Sequence, residues 1–445
     1  MKRVLVLAYF FPPLGGGGCQ RTVKLVRYLE AQGWVASVIT TADRDYWILD
    51  RTLLEEVPRS TEILRVRGGT ALGLLRAVGR AGIRVQEPQG ARQPAAFRAF
   101  RSLQRWMLIP DGYRGWAGAA RRLAEARLRA GGVDALWTTS SPESAHLAGL
   151  ALKRRFGIPW IADFRDPWVG RVTYRPPTRI HDRAHRSMER AVVLAADRVT
   201  VVSKAMESHY RARYPDVSPE RFFVLENGYD PDDWRRVRTA TEDSARETER
   251  DRGRFVLLHA GQLAHRPTVR TLLAAVRRVV DEDRAASGDL VVRFLGGNEE
   301  LDARERARYA LGQVLDLAPS RPHLAALAAM ARAGGLVLLG HGGAADSLLY
   351  TGKIYEYLSS GRPVLGIVDP GPCAELIGAT RCGLVVGARD VDGAALVIRG
   401  WLHAWRAGKD LSTGAAPEIL RGCVRPGMAA QAAGLLSQIS AAAAP

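Results

Sequence analysis

The sequence predicts an α/β protein made of two doubly wound parallel-sheet domains, and three observations carry that prediction. Short continuous apolar runs, suited to strands buried on both faces, alternate with amphipathic helical patterns along the chain. A charged, strandless stretch at 235–253 then separates a first set of such units from a second. Finally, Thr351-Gly352-Lys353-Ile354-Tyr355-Glu356-Tyr357-Leu358-Ser359-Ser360-Gly361-Arg362-Pro363-Val364-Leu365 packs a strand exit, a short helix and the next strand into fifteen residues. The expected division is a first domain at 1–234, a linker at 235–253, a second domain at 254–422 and a terminal helical segment at 423–445.

Taken in order, the apolar run at 3–8 reads as a buried strand, followed by Phe10-Phe11-Pro12-Pro13-Leu14-Gly15-Gly16-Gly17-Gly18 and a helix over 19–31. Gly15, Gly16 and Gly17 let a ligand approach the backbone closely at a helix N-terminus, where free N–H groups suit a phosphate or a sugar hydroxyl. A plain flexible turn is the alternative. The spacing departs from GxGxxG, because Gln20 stands where the third glycine belongs, and no Lys-Ser/Thr of a Walker loop follows.

Strands are expected at 35–40 and 63–66, a helix at 117–130, and a strand at 135–138 leading into Ser140-Ser141-Pro142 and a helix that carries His146. A lone histidine on such a helix is more often structural than catalytic. The next strand starts at Trp160 and brings Asp163-Phe164-Arg165-Asp166-Pro167-Trp168 to its carboxyl end, the edge where open α/β sheets bind ligands. Asp163 and Asp166 flanking Arg165 suit a polyol acceptor or a proton transfer, and equally a salt-bridged loop anchor. Strands at 198–202 and 222–225, with Ser203 as an N-cap, close the first half.

The second half repeats the pattern, with strands at 255–259, 291–295, 314–317 and 336–339, a helix at 268–280 and a last Ala-rich helix at 426–439. Within the organising stretch, Ile354, Tyr357, Leu358 and Gly361 recur at helical spacing, with Gly361 as the stop and Pro363 beyond it. A cation in a first helical turn opposes the helix dipole unless an anion joins it, which makes Lys353 a locally poor choice without a ligand. The chain writes its cations as arginine and has six lysines only, so Lys353 is no default. Glu356, three residues on, suits the vicinal diol of a ribose. Diphosphate on Lys353 and ribose on Glu356 make a nucleotide-sugar site; a surface salt bridge between the two, worth a few tenths of a kcal/mol, is the plainer reading.

At these residues the chain resembles the retaining glycosyltransferases of the GT-B fold, family 4 (glycosyl transferase group 1), in which such a helix carries a Glu for the donor ribose and runs into a Gly-x-Pro-Val strand. Most members have an earlier Glu eight positions before the second, where this chain has Leu348. Lys353 before Tyr355-Glu356-Tyr357, Pro110-Asp111 with Trp116, Ser140-Ser141-Pro142 and the 163–168 segment are similar to a bacterial branch that builds surface polysaccharides and glycolipids. Asn227-Gly228-Tyr229-Asp230 is similar to the Asn-Gly-Val-Asp of the domain edge.

The resemblance implies two Rossmann-like domains with a cleft between them, acceptor in the first and donor in the second, and a final helix that returns to the first domain. It implies diphosphate contacts from Gly261 and Arg266, with Gln262 replacing the usual Arg, and base contacts from the backbone at Leu317. Tyr350 and Thr351 complete the donor side. Asp111, Trp116, Ser140, Ser141, His146 and Arg165 are the implied acceptor side. Lys353 and Arg266 would stabilise the leaving diphosphate, and Asp163 or Asp166 is the candidate base. No metal and no cofactor are expected, and the formal Asp230-Pro231-Asp232 match to Asp-x-Asp is set aside because it follows a turn.

With 47% hydrophobic and 25% charged residues the composition is that of an ordinary globular protein. No run approaches a membrane span, and the apolar start is ended by Pro12-Pro13, which points to the cytoplasm. Cys19, Cys373, Cys382 and Cys423 have neither zinc nor disulfide spacing.

The net charge is +18, and residues 65–130 hold 14 Arg against Glu87, Asp111 and Glu125. The mixture of Arg with Leu, Val, Phe and Trp at 71–84 and 98–106 is that of a helix on an anionic bilayer, the inner membrane face for a lipid-linked or saccharide acceptor. A solvated basic face is the alternative. A nucleotide-sugar epimerase and an enzyme acting on a soluble small-molecule acceptor are the rival enzyme readings. Nucleic acid is disfavoured as a partner, since no aromatic-plus-basic RNA motif or recognition helix is present.

Overall fold

The structure is a computed structural model, described here for residues 1–42, 49–67, 106–171, 174–239, 251–263, 267–296, 301, 303–348, 350–414 and 418–442. The chain divides into two compact units. The first comprises residues 1–87, 94–227 and 425–445, and the second 88–93 and 228–424.

In the first unit, β1 (Lys2–Leu7), β2 (Trp34–Thr41), β3 (Glu62–Val66), β4 (Ala135–Ser140), β5 (Trp160–Phe164), β6 (Arg198–Val201) and β7 (Phe222–Val224) form one sheet. Its order is β3-β2-β1-β4-β5-β6-β7, every pairing parallel. The continuous apolar strands require cover on both faces, and the chain supplies it. Helix Gly17–Leu29 and the terminal helix Arg425–Ala442 pack one face through Val23, Val26, Leu29, Met428, Ala432, Leu435 and Leu436. Helices Arg114–Arg129, Ser144–Phe156, Arg179–Ala195 and Lys204–Arg213 complete the unit, and the Thr178 and Ser203 side chains cap the last two by accepting from His181 N and Met206 N.

The second unit has β8 (Phe255–Ala260), β9 (Leu290–Leu295), β10 (Leu315–Ala318), β11 (Gly335–Leu339), β12 (Val364–Ile367) and β13 (Gly383–Val386), again all parallel, in the order β10-β9-β8-β11-β12-β13. Helix Pro267–Glu282 shows why it lies on the sheet: Val269, Leu272, Leu273, Val276, Val279 and Val280 form one buried stripe. With Val391–Arg406 it covers one face. Helices His323–Arg332, Lys353–Ser359 and Pro372–Thr380, together with Trp234, cover the other.

Each sheet therefore runs outward over three strands and then reverses, the doubly wound order with its switch point between β1 and β4 in one unit and between β8 and β11 in the other. Two expectations shift. The first unit ends at Asn227 and not at 234, because Trp234 in helix Pro231–Thr239 belongs to the second unit's core and donates its Nε1–H to Ser359 Oγ at 2.8 Å. The start of the expected linker is thereby helical to Thr239, and 240–250 lies outside the described residues.

Candidate functional site

At the second unit's switch point, β8 is followed by Gly261, whose φ of +119° suits glycine and whose missing Cβ leaves room for the Lys353 ammonium. Lys353 Nζ donates to Ala260 O at 2.8 Å, and Ala260 N donates to the Tyr357 hydroxyl at 2.7 Å. The helix Lys353–Ser359 is thus pinned to the carboxyl end of the central strand by two of its own side chains. Glu356 lies in its first turn, with Oε1 3.8 Å from His323 Nε2.

Across the switch point, the loop after β11 is shaped by one buried carboxylate. Asp346 accepts from His341 N at 2.8 Å, Gly342 N at 3.1 Å and Asp369 N at 2.9 Å. Thr268 Oγ1 donates to Gly340 O at 2.6 Å, tying the start of helix Pro267–Glu282 to that loop. Tyr350 accepts from the Tyr355 hydroxyl at 2.6 Å, and Thr351 O accepts from Ile354 N at 3.2 Å to open the helix. Leu317 is half-buried on edge strand β10, its side chain packed on the unit's core. Leu348 is half-buried, and Arg266 lies outside the described residues. Gly261, Tyr350, Thr351, Lys353 and Glu356 are therefore held within one small group of elements at a ligand-binding edge.

In the first unit, Gly15 is buried, Gly16 takes a φ of +87° and Gly17 is the exposed first residue of its helix. Arg165 stitches the glycine loop to the Ser140-Ser141 loop across the β1/β4 switch point. Its guanidinium donates to Gly18 O at 2.7 Å, to Ser141 O at 3.2 Å and to Ser140 O. Its role is to hold these backbones together, and Gly18 has no side chain because one would press on it.

Four expected site residues are held by structural partners. Asp163 is 1% exposed, and its carboxylate accepts from Arg21 Nε (3.1 Å) and Nη2 (2.8 Å), Thr139 Oγ1 (2.9 Å) and Thr200 Oγ1 (2.8 Å). Burial works to raise its pKa, but the Arg21 charge and these hydrogen bonds hold it below the usual range, so it is a buried anchor and not a base. His146 is fully buried, stacked on Phe164 at 4.4 Å with Nδ1 2.7 Å from Thr138 Oγ1, and burial pushes its pKa down to about 3. It is a neutral core histidine. Trp116 is also fully buried, its ring edge-on to Tyr9 at 5.2 Å.

Asp111 caps the helix Ser144–Phe156, accepting from Ser144 N (2.9 Å), Ser144 Oγ (2.8 Å) and Tyr113 N (2.8 Å), with burial and the nearby Glu143 charge raising its pKa. Ser140 is buried, Ser141 half-buried and donating to Glu143 Oε1 at 3.3 Å, and Asp166 is exposed beside them. Of the acceptor-side residues, Ser141 and Arg165 are half-buried at the carboxyl edge, and the candidate base Asp166 is exposed there.

The sequence reading missed Arg21, Tyr357 and His323. Arg21 meets Asp163 across 142 residues and carries no local signal. Tyr357 was legible as core, and its hydroxyl's bond to β8 was not. The basic segments at 71–84 and 98–105 lie outside the described residues; next to them, Trp106 and Met107 are exposed.

Residues 15–233 match Glycosyltransferase Family 4. The chain thus carries a glycosyltransferase family domain in its first half, and its two parallel doubly wound sheets have the GT-B fold.

No curated protein sequence matches the chain. Among solved structures it is similar to the sucrose-phosphate synthase of Thermosynechococcus elongatus (16% identity, 100% of both chains covered, TM-score 0.64). It is similar also to WaaG, a glycosyltransferase involved in lipopolysaccharide biosynthesis (15% identity, 99% of this chain and 98% of that chain, TM-score 0.54). A third likeness is to the S. aureus MnaA–UDP co-structure (13% identity, 97% and 94% covered, TM-score 0.52). At these identities the structural likeness speaks to the fold.

Proposed function

We propose that the enzyme moves a sugar from a nucleoside diphosphate sugar to an acceptor hydroxyl, with retention at the anomeric carbon as the family resemblance implies. The observation that carries the reading is the placement of Lys353 over Gly261 at the end of β8, with Glu356 one turn along the same helix. A fixed cation beside a side-chain-free stretch of backbone suits a diphosphate, and a carboxylate one helical turn away suits the ribose. As the bond from the anomeric carbon to the diphosphate oxygen breaks, negative charge grows on the leaving group. Lys353 stabilises it, and losing one such donor costs about 2.7–4 kcal/mol at comparable sites. The acceptor hydroxyl's proton goes to a leaving phosphate oxygen, consistent with the burial of Asp163. No metal or cofactor enters this scheme.

The test is a thermal-shift panel with UDP, GDP, TDP and ADP on the wild-type chain and on Glu356→Ala. A ligand at about 100 Kd adds about 2.7 kcal/mol. The reading expects a shift with one nucleotide, lost in the variant; no shift with any of them overturns it.

For the acceptor, the reading is a lipid-linked or saccharide precursor met at an anionic membrane face in the cytoplasm. Trp106 (53% exposed), Met107 (68%) and Ile180 (75%) support it. Trp106 packs edge-on against His181 at 5.2 Å, and Arg175, Arg179 and Arg183, close to His181 in sequence, are exposed. Exposed apolar side chains together with exposed arginines suit an anionic bilayer surface. Among the described residues no helix is long and apolar enough to cross a membrane. Co-sedimentation with anionic vesicles, set against duplex DNA binding, tests it: vesicle binding weakened in Trp106→Ala/Met107→Ala is expected, and binding to DNA alone overturns it.

A further inference from the structure

Three helices of the second unit converge on one imidazole. Helix Pro231–Thr239 supplies Asp233, helix His323–Arg332 begins with His323, and helix Lys353–Ser359 supplies Glu356. His323 Nε2 is 3.1 Å from Asp233 Oδ2 and 3.8 Å from Glu356 Oε1. A carboxylate only accepts hydrogen bonds, so Nε2 carries the hydrogen and gives it to Asp233, while Glu356 Oε1 lies beside the same ring edge beyond hydrogen-bond reach. The two acids differ in what they can do. Asp233 is 1% exposed and is the fixed member. The Glu356 side chain keeps 18% of its surface and lies in the first turn of its helix. Among the described residues, His323 is the one side chain that an ion pair or hydrogen bond sets against the Glu356 carboxylate.

We infer that His323, oriented by Asp233, is a positioning residue that holds the Glu356 carboxylate for the two ribose hydroxyls of the donor nucleotide. The inference rests on the reading that Glu356 takes the ribose. A free glutamate samples many rotamers, and a diol needs both carboxylate oxygens in one orientation. The His323 ring edge beside Oε1 narrows the rotamers open to Glu356 and leaves Oε2 to the ligand. The pair is partly solvated, so the effect is one of selection among rotamers and modest in size.

The experiment is titration calorimetry of the full chain with UDP and GDP, each beside its 2′-deoxy counterpart, on wild type, Glu356→Ala, His323→Ala and His323→Gln, with steady-state kinetics alongside. Wild type prefers the ribonucleotide, and Glu356→Ala abolishes that preference. His323→Ala reduces it by about threefold to fivefold, the size expected for one partly exposed contact. The same variant raises KM for the donor with kcat kept, and His323→Gln, which can donate from a similar position, restores the preference. A His323→Ala enzyme with the full ribose preference, in a protein where Glu356→Ala has lost it, overturns the inference and leaves the Glu356 reading standing. Absence of any ribose preference in the wild type overturns both.

Discussion

Arg21 and Asp163 form a two-pronged buried pair that ties β5 to the helix after the glycine loop, with side-chain exposures of 3% and 2%. Arg21 also donates to Leu225 O at 3.0 Å and Asn227 Oδ1 at 3.1 Å, so one guanidinium joins three segments at the carboxyl edge. Removing one partner of such a pair leaves an uncompensated buried charge, and Arg21→Ala is expected to cost about 3–5 kcal/mol, read by urea denaturation.

His146 sets an acid limit. Its folded pKa of about 3 lies below the 6.5 of the free side chain, so the contribution of its neutral form is complete above pH 6.5 and is lost as pH falls from there toward 3. Stability measured across that window should fall with decreasing pH, and the fall should be shallower by up to one proton in His146→Asn. Gly261→Ala tests the donor side. The new methyl group meets the Lys353 ammonium at a positive φ, so nucleotide affinity should drop with the fold kept, as seen by binding titration beside far-UV circular dichroism.

At the scale of elements, the terminal helix Arg425–Ala442 joins the core that covers β1 and β2, with Leu436 and Ala432 fully buried among Val4, Val26 and Trp34. Leu436→Ala should destabilise the first unit by about 2–5 kcal/mol, through lost burial and the cavity left behind, measured by chemical denaturation. The helix was legible as an Ala-rich pattern. Its return to the first unit was implied by the family resemblance and not by the pattern itself, because an alanine stripe shows that something approaches closely and not what. Most strands were legible to within two residues, since a strand buried on both faces must be apolar throughout, while the partly exposed β13 was not expected. Helices Arg179–Ala195 and Val391–Arg406 went unplaced, because their arginines and glycine dilute the apolar period.

For the whole molecule, two sheets with the same winding place two ligand-binding edges in one chain, and the chemistry assigned to each differs. The reading predicts that UDP, or whichever nucleotide binds, protects amides around Gly261 and 351–357 in the second unit in hydrogen-exchange measurements; protection confined to the first unit would count against it. The net charge of +18 adds a condition to vesicle binding, which should weaken as salt rises past physiological strength, where the Debye length is about 8 Å.

The sequence by itself determined the class of fold, the two sets of βα units and the stretch at 351–365, because apolar periodicity, glycine placement and an out-of-place lysine are local properties. It also located the carboxyl edge that carries Asp163 and Arg165. Only the tertiary structure decided which of those groups stay available. Asp163 looked like a base beside Arg165 until folding brought Arg21, Thr139 and Thr200 onto its oxygens. The alternative reading of Glu356 as half of a surface pair with Lys353 gives way once Lys353 turns to Ala260 O and His323 arrives from another helix. Hydrogen bonds between segments far apart in sequence leave no period for a reader to find, and they fix which side chains are anchors and which face a ligand.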